Sequence, residues 1–431
     1  MQNVKGTADY WGKEQALRQR VQQVLRNLFE LYDYEAMETA MLSEQELLLS
    51  KYAGGDEIVK EMYRFIDQGG RRLGLRYDLT IPFAKVIALN PGIELPFRRY
   101  ELGKVFRDGP VKRGRLREFM QCDADVVGIE GPEAEAELMQ LAVEAFRQLE
   151  LPVLLKWNNR RFLGELLESI GVQPGELLSV MLTLDKLDKI GLAGVREELG
   201  VKGLPEQTVT ALAGLIERKS PTFGELAQAY GLLESSGAGE VAAMEELIGK
   251  LGLEAVCVFD PFLSRGLSFY TGTVYEIVDA TGSYSSSLGG GGRYDAIIGQ
   301  LAGHEEIRYP TVGLSFGMES IMAMLAERPF TLPAPAAMII PIGGMTVEAL
   351  STAARLRAAG LRIRVELGKR KLRKTLASAA AHGIRYVILI GEEEARLGQL
   401  KLRDMQESTE AMLTLEKLEA VLLAASAPDR P

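Results

Sequence analysis

The densest concentration of usable chemistry lies in Arg98–Gly128, RRYELGKVFRDGPVKRGRLREFMQCDADVVG. Two strand-like arms, Tyr100–Phe106 and Phe119–Val127, flank a polar loop carrying Lys112, Arg113, Arg115 and Arg117. A rigid antiparallel hairpin that holds several guanidinium groups over a cleft suits a polyphosphate, because arginine offers a planar fork of donors. Charge runs usually face water, and composition alone does not separate these two readings.

Four further blocks carry candidate groups. Asp260–Ile277, DPFLSRGLSFYTGTVYEI, sets Arg265 at the mouth of a strand ahead of Tyr270, Thr271 and Gly272. Gly289–Asp295, GGGGRYD, permits close backbone approach and positive φ, as any glycine-rich loop does. Leu75–Thr80, LRYDLT, offers an acid that can neutralise an ammonium group, although an aspartate in such a loop is more often a cap or turn. Lysines and arginines from Arg362 to Lys374 concentrate positive charge in an acidic chain. That patch favours a phosphate backbone and salt-dependent binding, or else a solubilising helix surface.

In their order along the chain these blocks resemble the class II aminoacyl-tRNA synthetases, in the histidyl version. The hairpin looks like motif 2. The resemblance places Arg107 at the α-phosphate, Arg115 at the outer phosphates, and Gln121 and Asp125 at the histidine substrate. Arg265 matches the special catalytic arginine of the histidyl signature RG-L-x-[YF]-Y-T-G. Tyr270 and, from GGRYD, Tyr294 would line the imidazole pocket. Asp78 and Thr80 would take the amino group. The segment Gly313–Ser320 resembles motif 3, which implies a place for Glu319 at the nucleotide. The run Lys369, Arg370, Lys371, Arg373 and Lys374 looks like the basic helix start of an anticodon-binding domain, hence tRNA contact. Asp185–Gly191 resembles part of the family's helical insertion and receives no site.

The resemblance implies ATP-dependent, AMP-forming ligation of L-histidine to tRNA(His), with Mg²⁺ on the phosphates and a homodimeric enzyme. Three positions depart from the family pattern. Ser320 stands where motif 3 has arginine, Gly109 where motif 2 has an acid, and Ala40 where motif 1 has proline. The alternative is a catalytically silent, histidine-sensing paralogue such as the regulatory subunit of ATP phosphoribosyltransferase, which generally lacks the anticodon-binding domain.

The elements that must hold these groups follow from periodicity. Leu17, Val21, Val24, Leu25, Leu28 and Tyr32 predict an opening helix, and Ala134, Leu138, Leu141 and Ala142 a second over Glu133–Gln148. Strand-like and turn-rich sequence fills Tyr34–Gly128. From about 158 to 250 strand signals vanish, and helices are expected at Phe162–Ile170, Gly175–Leu187, Glu206–Ile216 and Thr222–Ala229. Strand-and-glycine sequence resumes at Ala255 and ends in a helix near Glu319–Leu325. The fold class implied is an α+β class II core, an antiparallel sheet flanked by helices, over 1–327 with this helical insertion. A proline-rich linker, 328–335, then leads to an α/β domain over 336–431. There Met338–Ile342, Thr346–Ala359, Leu361–Leu367, Lys371–Ala381 and Tyr386–Ile390 read as βαβαβ with a largely parallel sheet.

Composition bounds the rest. A chain of 431 residues suits two or three domains. The net charge of −9 does not exclude nucleic acid, since local basic surface decides that. Cys122 and Cys257 form no CxxC pair, and His304 and His382 sit in polar contexts, so no protein-held metal site or histidine triad is expected. The opening MQNVKGTADYWGKEQ has no apolar signal core, and no run of about 18 apolar residues exists. A cytoplasmic protein is the expectation.

Overall fold

The computed structural model describes residues 1–49, 60–218, 221–265, 269–304, 306–368 and 370–426. The chain divides into two compact units, Met1–Phe330 and Thr331–Pro431.

The first unit opens with the helix Gly12–Leu31, whose buried stripe Leu17, Val21, Leu25 and Leu28 follows the helical period. Phe29 continues the stripe and stacks on Tyr100 at 5.1 Å, which fastens the helix to a sheet. Truncating Leu25 to alanine there would cost about 2–5 kcal/mol.

The strands of this unit are β1 (Glu35–Ala36), β2 (Leu42–Glu44), β3 (Arg64–Ile66), β4 (Arg72–Leu75), β5 (Phe97–Phe106) and β6 (Glu118–Val127). They continue with β7 (Val153–Asn159), β8 (Cys257–Phe259), β9 (Thr273–Asp279), β10 (Gly289–Arg293) and β11 (Thr311–Gly317). Eight of them form one sheet in the order β1-β5-β6-β11-β10-β9-β7-β8. It is antiparallel through its centre, and parallel only at its edges, β1 with β5 and β7 with β8. The other three make a small antiparallel sheet in the order β2-β4-β3.

Because β7 and β8 are parallel neighbours, a crossover must join them. Helices Arg160–Ser169, Leu177–Leu184, Leu187–Val201, Glu206–Ile216, Phe223–Ala229 and Ser236–Lys250 lie in that connection. Local chemistry sets their limits. Asn159 caps the first by accepting from the amides of Arg161 and Phe162, and Thr222 with Glu225 forms a capping box. The single helix expected over Gly175–Leu187 is divided into a 3-10 turn, Pro174–Glu176, the helix Leu177–Leu184 and the start of the next. Gly191, at φ 65°, then interrupts that next helix.

The helix Thr80–Leu89 falls inside the stretch read as strand and turn. It is apolar on several sides, burying Ile81, Pro82, Phe83, Ala84 and Ile87, so it carries no amphipathic signature. Pro82 sits in its first turn, where proline is tolerated.

The second unit contains β12 (Ala337–Pro341), β13 (Ile363–Val365), β14 (Tyr386–Ile390), β15 (Leu400–Asp404) and β16 (Thr409–Leu413). Their order is β13-β12-β14-β15-β16. The first three are parallel, as the βαβαβ pattern predicts, with helices Thr346–Ala358 and Leu372–Ala381 in the crossovers. β15 and β16 then add an antiparallel hairpin. Ile339, Ile388, Leu356 and Leu418 meet in its core.

Candidate active site

Strand alternation assigns the side chains of the eight-stranded sheet to two faces. On β6, Cys122, Ala124 and Val126 are buried in the main core. Gln121, Asp123 and Asp125, out of step by one residue, lie on the opposite face. Register carries that face across the sheet. Arg99, Glu101 and Gly103 of β5 pair with Asp125, Asp123 and Gln121. Gly313, Ser315 and Gly317 of β11 pair with the same three residues. Ser315 then meets Gly290 of β10, which meets Glu276 of β9.

Glycine is required here for space. A Cβ on Gly290 would stand 2.7 Å from Nη1 of Arg265, and one on Gly313 would overlap Oδ1 of Asp125. Bare backbone thus makes the floor of a cleft, and charged side chains from elsewhere lie across it.

Asp125 forms one end of the site. Tyr294 donates its hydroxyl to Oδ1, and Nη2 of Arg99 lies 2.7 Å from Oδ2. Burial raises the Asp125 pKa, against the opposing pull of Arg99 and Tyr294. The flanking residues of GGRYD explain how Tyr294 is aimed. Arg293 makes a buried ion pair with Glu135 at 2.7 Å, and Asp295 accepts from the Thr311 amide at 2.9 Å. Phe269 packs against Tyr270 at 4.7 Å and edge-on to Tyr294 at 5.9 Å. An acidic acceptor beside aromatic rings suits a flat, polar heterocycle such as imidazole.

Arg265 enters from the far side of the floor with a left-handed φ of 56°. Its approach is fixed by Asn158, whose amide donates to the carbonyls of Pro261 and Leu263 at 2.9 Å each, and by Ser264, which donates to Met181 O at 2.6 Å. Nη1 of Arg265 is 3.1 Å from Glu276 Oε1. Burial opposes its charge, but Tyr270, Glu276 and Asp185 hold its pKa above the ordinary arginine value. Gly266, Leu267 and Ser268 of the same signature lie outside the described residues.

Arg107 closes the motif 2-like hairpin. Its amide donates to Arg117 O at 2.8 Å, Nε donates to Tyr77 O at 3.0 Å, and the guanidinium lies 5.2 Å from the Phe119 ring. Among the described residues it forms no ion pair. Burial lowers its pKa, and Asp78 pulls the other way. Asp78 accepts from the Ile81 amide at 3.1 Å, and desolvation pushes its pKa up to about 6. Thr80 opens the helix beside it. Arg76 anchors this LRYDLT segment through Glu101 at 2.8 Å and Thr39 O at 2.7 Å. Gln121 donates to Ser315 Oγ at 2.8 Å.

The loop arginines are engaged by neighbouring acids. Arg115 pairs with Glu61 at 2.6 Å, and Arg113 with Glu327. The loop tip descends on Ser320: a Cβ on Gly114 would stand 3.3 Å from Ser320 Oγ. A long side chain at 320 would compete for that space.

Glu319, expected at the nucleotide, is engaged by protein groups in this structure. It pairs with Arg18 through both oxygens, at 2.7 and 2.9 Å. It also accepts from the Tyr10 hydroxyl at 3.3 Å and the Met120 amide at 3.3 Å. These bonds tie the first helix to β6.

In the second unit Arg370, Lys371, Arg373 and Lys374 are all exposed around the start of the helix Leu372–Ala381. Lys369 lies outside the described residues. Cations at a helix N-terminus oppose its dipole, and an anion there would relieve both. Sequence reasoning did not single out Arg99, Asp123, Glu276 and Ser315. The signal that finds them is the period of two on β5, β6, β9 and β11, once strand pairing is known.

Residues 6–321 match the family Histidyl-tRNA synthetase, and residues 336–425 match Anticodon binding domain. Histidine--tRNA ligase 1 of Bacillus cereus is 45% identical over 421 residues, 97% of this chain and 96% of its own. The crystal structure of histidyl-tRNA synthetase from Nostoc sp. PCC 7120 superposes with a TM-score of 0.83 at 25% identity, covering 98% of this chain and 99% of that one. An ATP phosphoribosyltransferase regulatory subunit/histidyl-tRNA synthetase from Bacillus halodurans C shares the fold, with a TM-score of 0.72 at 20% identity over 90% of this chain and 98% of that one. The family match and the near-complete coverage at 45% identity agree, and the chain belongs to the histidyl-tRNA synthetase family.

Proposed function

We propose that this chain is a histidine--tRNA ligase, which activates L-histidine with ATP and passes it to tRNA(His). The observation that carries the reading is Arg265 against Gly290 and the Asp125–Tyr294 pair against Gly313, with Arg107 in electrostatic reach of Asp78 and Asp123. The histidine carboxylate is already ionised near neutral pH, so the first step needs no protein base. Its oxygen attacks the α-phosphorus, the bond to the bridging oxygen breaks, and pyrophosphate leaves with that electron pair. Arg107 and Arg265 stabilise the charge that develops at phosphorus, a contribution of the kind worth about 10²–10³ in rate. The terminal ribose of the tRNA then attacks the adenylate carbonyl and AMP leaves.

Asp125, Tyr270 and Tyr294 select imidazole, because an analogue without its nitrogens would leave buried polar groups unpaired. Gln121, Asp78 and Thr80 take the amino group. Arg115 releases Glu61 to reach the outer phosphates. Glu61 and Asp108, at the hairpin mouth, are paired with Arg115 and Arg117. Mg²⁺ carried in on the nucleotide would neutralise charge on the outer phosphates. Residues 1–327 perform the chemistry, with the helical insertion at about 158–250. After the linker at 328–335, residues 336–431 hold the tRNA, with Arg370, Lys371, Arg373 and Lys374, and Lys369 beside them, on its backbone.

A homodimer is supported by exposed apolar residues on the small sheet, Leu42, Phe65 and Ile66. No helix among the described residues is long and apolar enough to cross a membrane, in keeping with a cytoplasmic site of action. The test is histidine-dependent exchange of labelled pyrophosphate into ATP by the pure protein. Exchange is expected with histidine alone among the amino acids. Its absence in a protein that still binds histidine would overturn the reading in favour of a sensor.

A further inference from the structure

Asp123 sits at the middle of the site face, between Gln121 and Asp125 on β6 and between Glu101 and Ser315 on the neighbouring strands. It is only 3% exposed, and its Oδ1 has no hydrogen-bond partner in the structure. The same holds for Oε1 of Gln121, whose amide nitrogen is occupied by Ser315. Two bare acceptors therefore stand side by side on one strand, with the Asp78 carboxylate acting on Asp123 from the hairpin mouth. Buried acceptors without donors are costly, and their natural complement is a group rich in donors. An ammonium group has three N–H donors and no acceptor.

We propose that Asp123 is a further positioning residue of the amino-acid pocket, pairing through Oδ1 with the α-ammonium of the substrate beside Gln121 Oε1 and Asp78. The inference rests on the ligase reading and deepens it.

Neighbouring groups leave Asp123 without a countercharge of its own. From β5, Arg99 is drawn to Asp125 at 2.7 Å, and Glu101 is held by Arg76 and Thr39. Asp125 adds like charge from the same strand, and Ser315 hydrogen-bonds from β11. Arg107, Tyr270 and Tyr294 complete the surroundings. Burial, with Arg99 opposing it, pushes the Asp123 pKa up to about 8. That raised pKa favours the protonated carboxyl near neutral pH. An arriving ammonium favours the ionised form, so that proton leaves to solvent as the substrate binds.

Asp123→Asn keeps the shape and removes the charge. In pyrophosphate exchange its KM for histidine is expected to rise about tenfold or more. KM for ATP should stay within twofold, and Tm should not fall. In the wild type, kcat/KM for histidine should rise with pH up to about 8, and the variant should flatten that rise. Calorimetry of histidine binding at pH 7 in two buffers of different ionisation enthalpy should show more proton release from the wild type than from the variant. A histidine KM within twofold of wild type, or equal losses for histidine and ATP, would overturn the proposal. Should the wild type show no exchange at all, the ligase reading fails instead. The calorimetric comparison then still decides the role of Asp123.

Discussion

On β6, Cys122, Ala124 and Val126 face a packed apolar core, whereas Gln121, Asp123 and Asp125 face a cleft of buried charge. The same division runs through β11, where Phe316 is fully buried in the core and Ser315 reaches the polar side. One face gains from burial, at about 25 cal/mol for each Å² of apolar surface. The other spends stability on desolvated carboxyls and guanidiniums, several with atoms left unpaired. Neighbouring residues on one strand therefore serve opposite ends, and substitutions on the two faces should leave opposite signatures.

The sharpest separation is expected at the arginines. Arg265→Ala and Arg107→Ala should each lower pyrophosphate exchange by about 10²–10³. Tm should stay within a few degrees, and a collapse of Tm would erase the distinction between the faces. Phe316→Ala should do the reverse. Urea unfolding should show a loss of about 3–5 kcal/mol, with kcat per folded molecule nearly intact. Asp125→Asn should raise the histidine KM by about 10–100-fold and leave that for ATP unchanged, as loss of a charged hydrogen bond requires. An equal effect on both substrates would place Asp125 outside the imidazole end.

A smaller effect comes from pH. Burial pushes the Asp123 pKa up to about 8 and that of Asp78 up to about 6, against about 4 for an unfolded aspartate. Between those values the folded state binds more protons than the unfolded one, so stability falls as pH rises from about 4 to about 8. Thermal melts of the ligand-free protein should show this fall, and Asp123→Asn should flatten it. The mildest change is expected away from the sheet. Replacing Lys371, Arg373 and Lys374 by alanine should weaken tRNA binding and reduce its salt dependence, with exchange untouched. An unchanged salt slope would remove the patch from the tRNA path.

Local pattern made much of this legible. The hairpin Arg98–Gly128, the helix Gly12–Leu31 and the parallel half of the second unit all announce themselves through periodicity. The helix Thr80–Leu89 does not, because its burial on several sides leaves no polar stripe. β15 and β16 escaped because their pairing, β15 with β14 and β16 with β15, is a tertiary fact. The protein contacts of Glu319 were hidden for a related reason. A motif names a side chain, but only the fold reveals that Arg18, 301 residues earlier, already occupies it. Asp123 lay in plain view between two named residues, and its isolation became visible only when its neighbours' partners were known.

That contact between Arg18 and Glu319 gives the beginning of the chain a reach beyond its own helix. The Glu319 oxygen that grips the Arg18 fork also receives the amide of Met120, the residue just before Gln121. Trimming the amino-terminal twenty residues would therefore strand an anion behind the glycine floor and slacken the strand that carries the proposed recognition groups. Damage there is expected to read in kinetics as poor discrimination among amino acids.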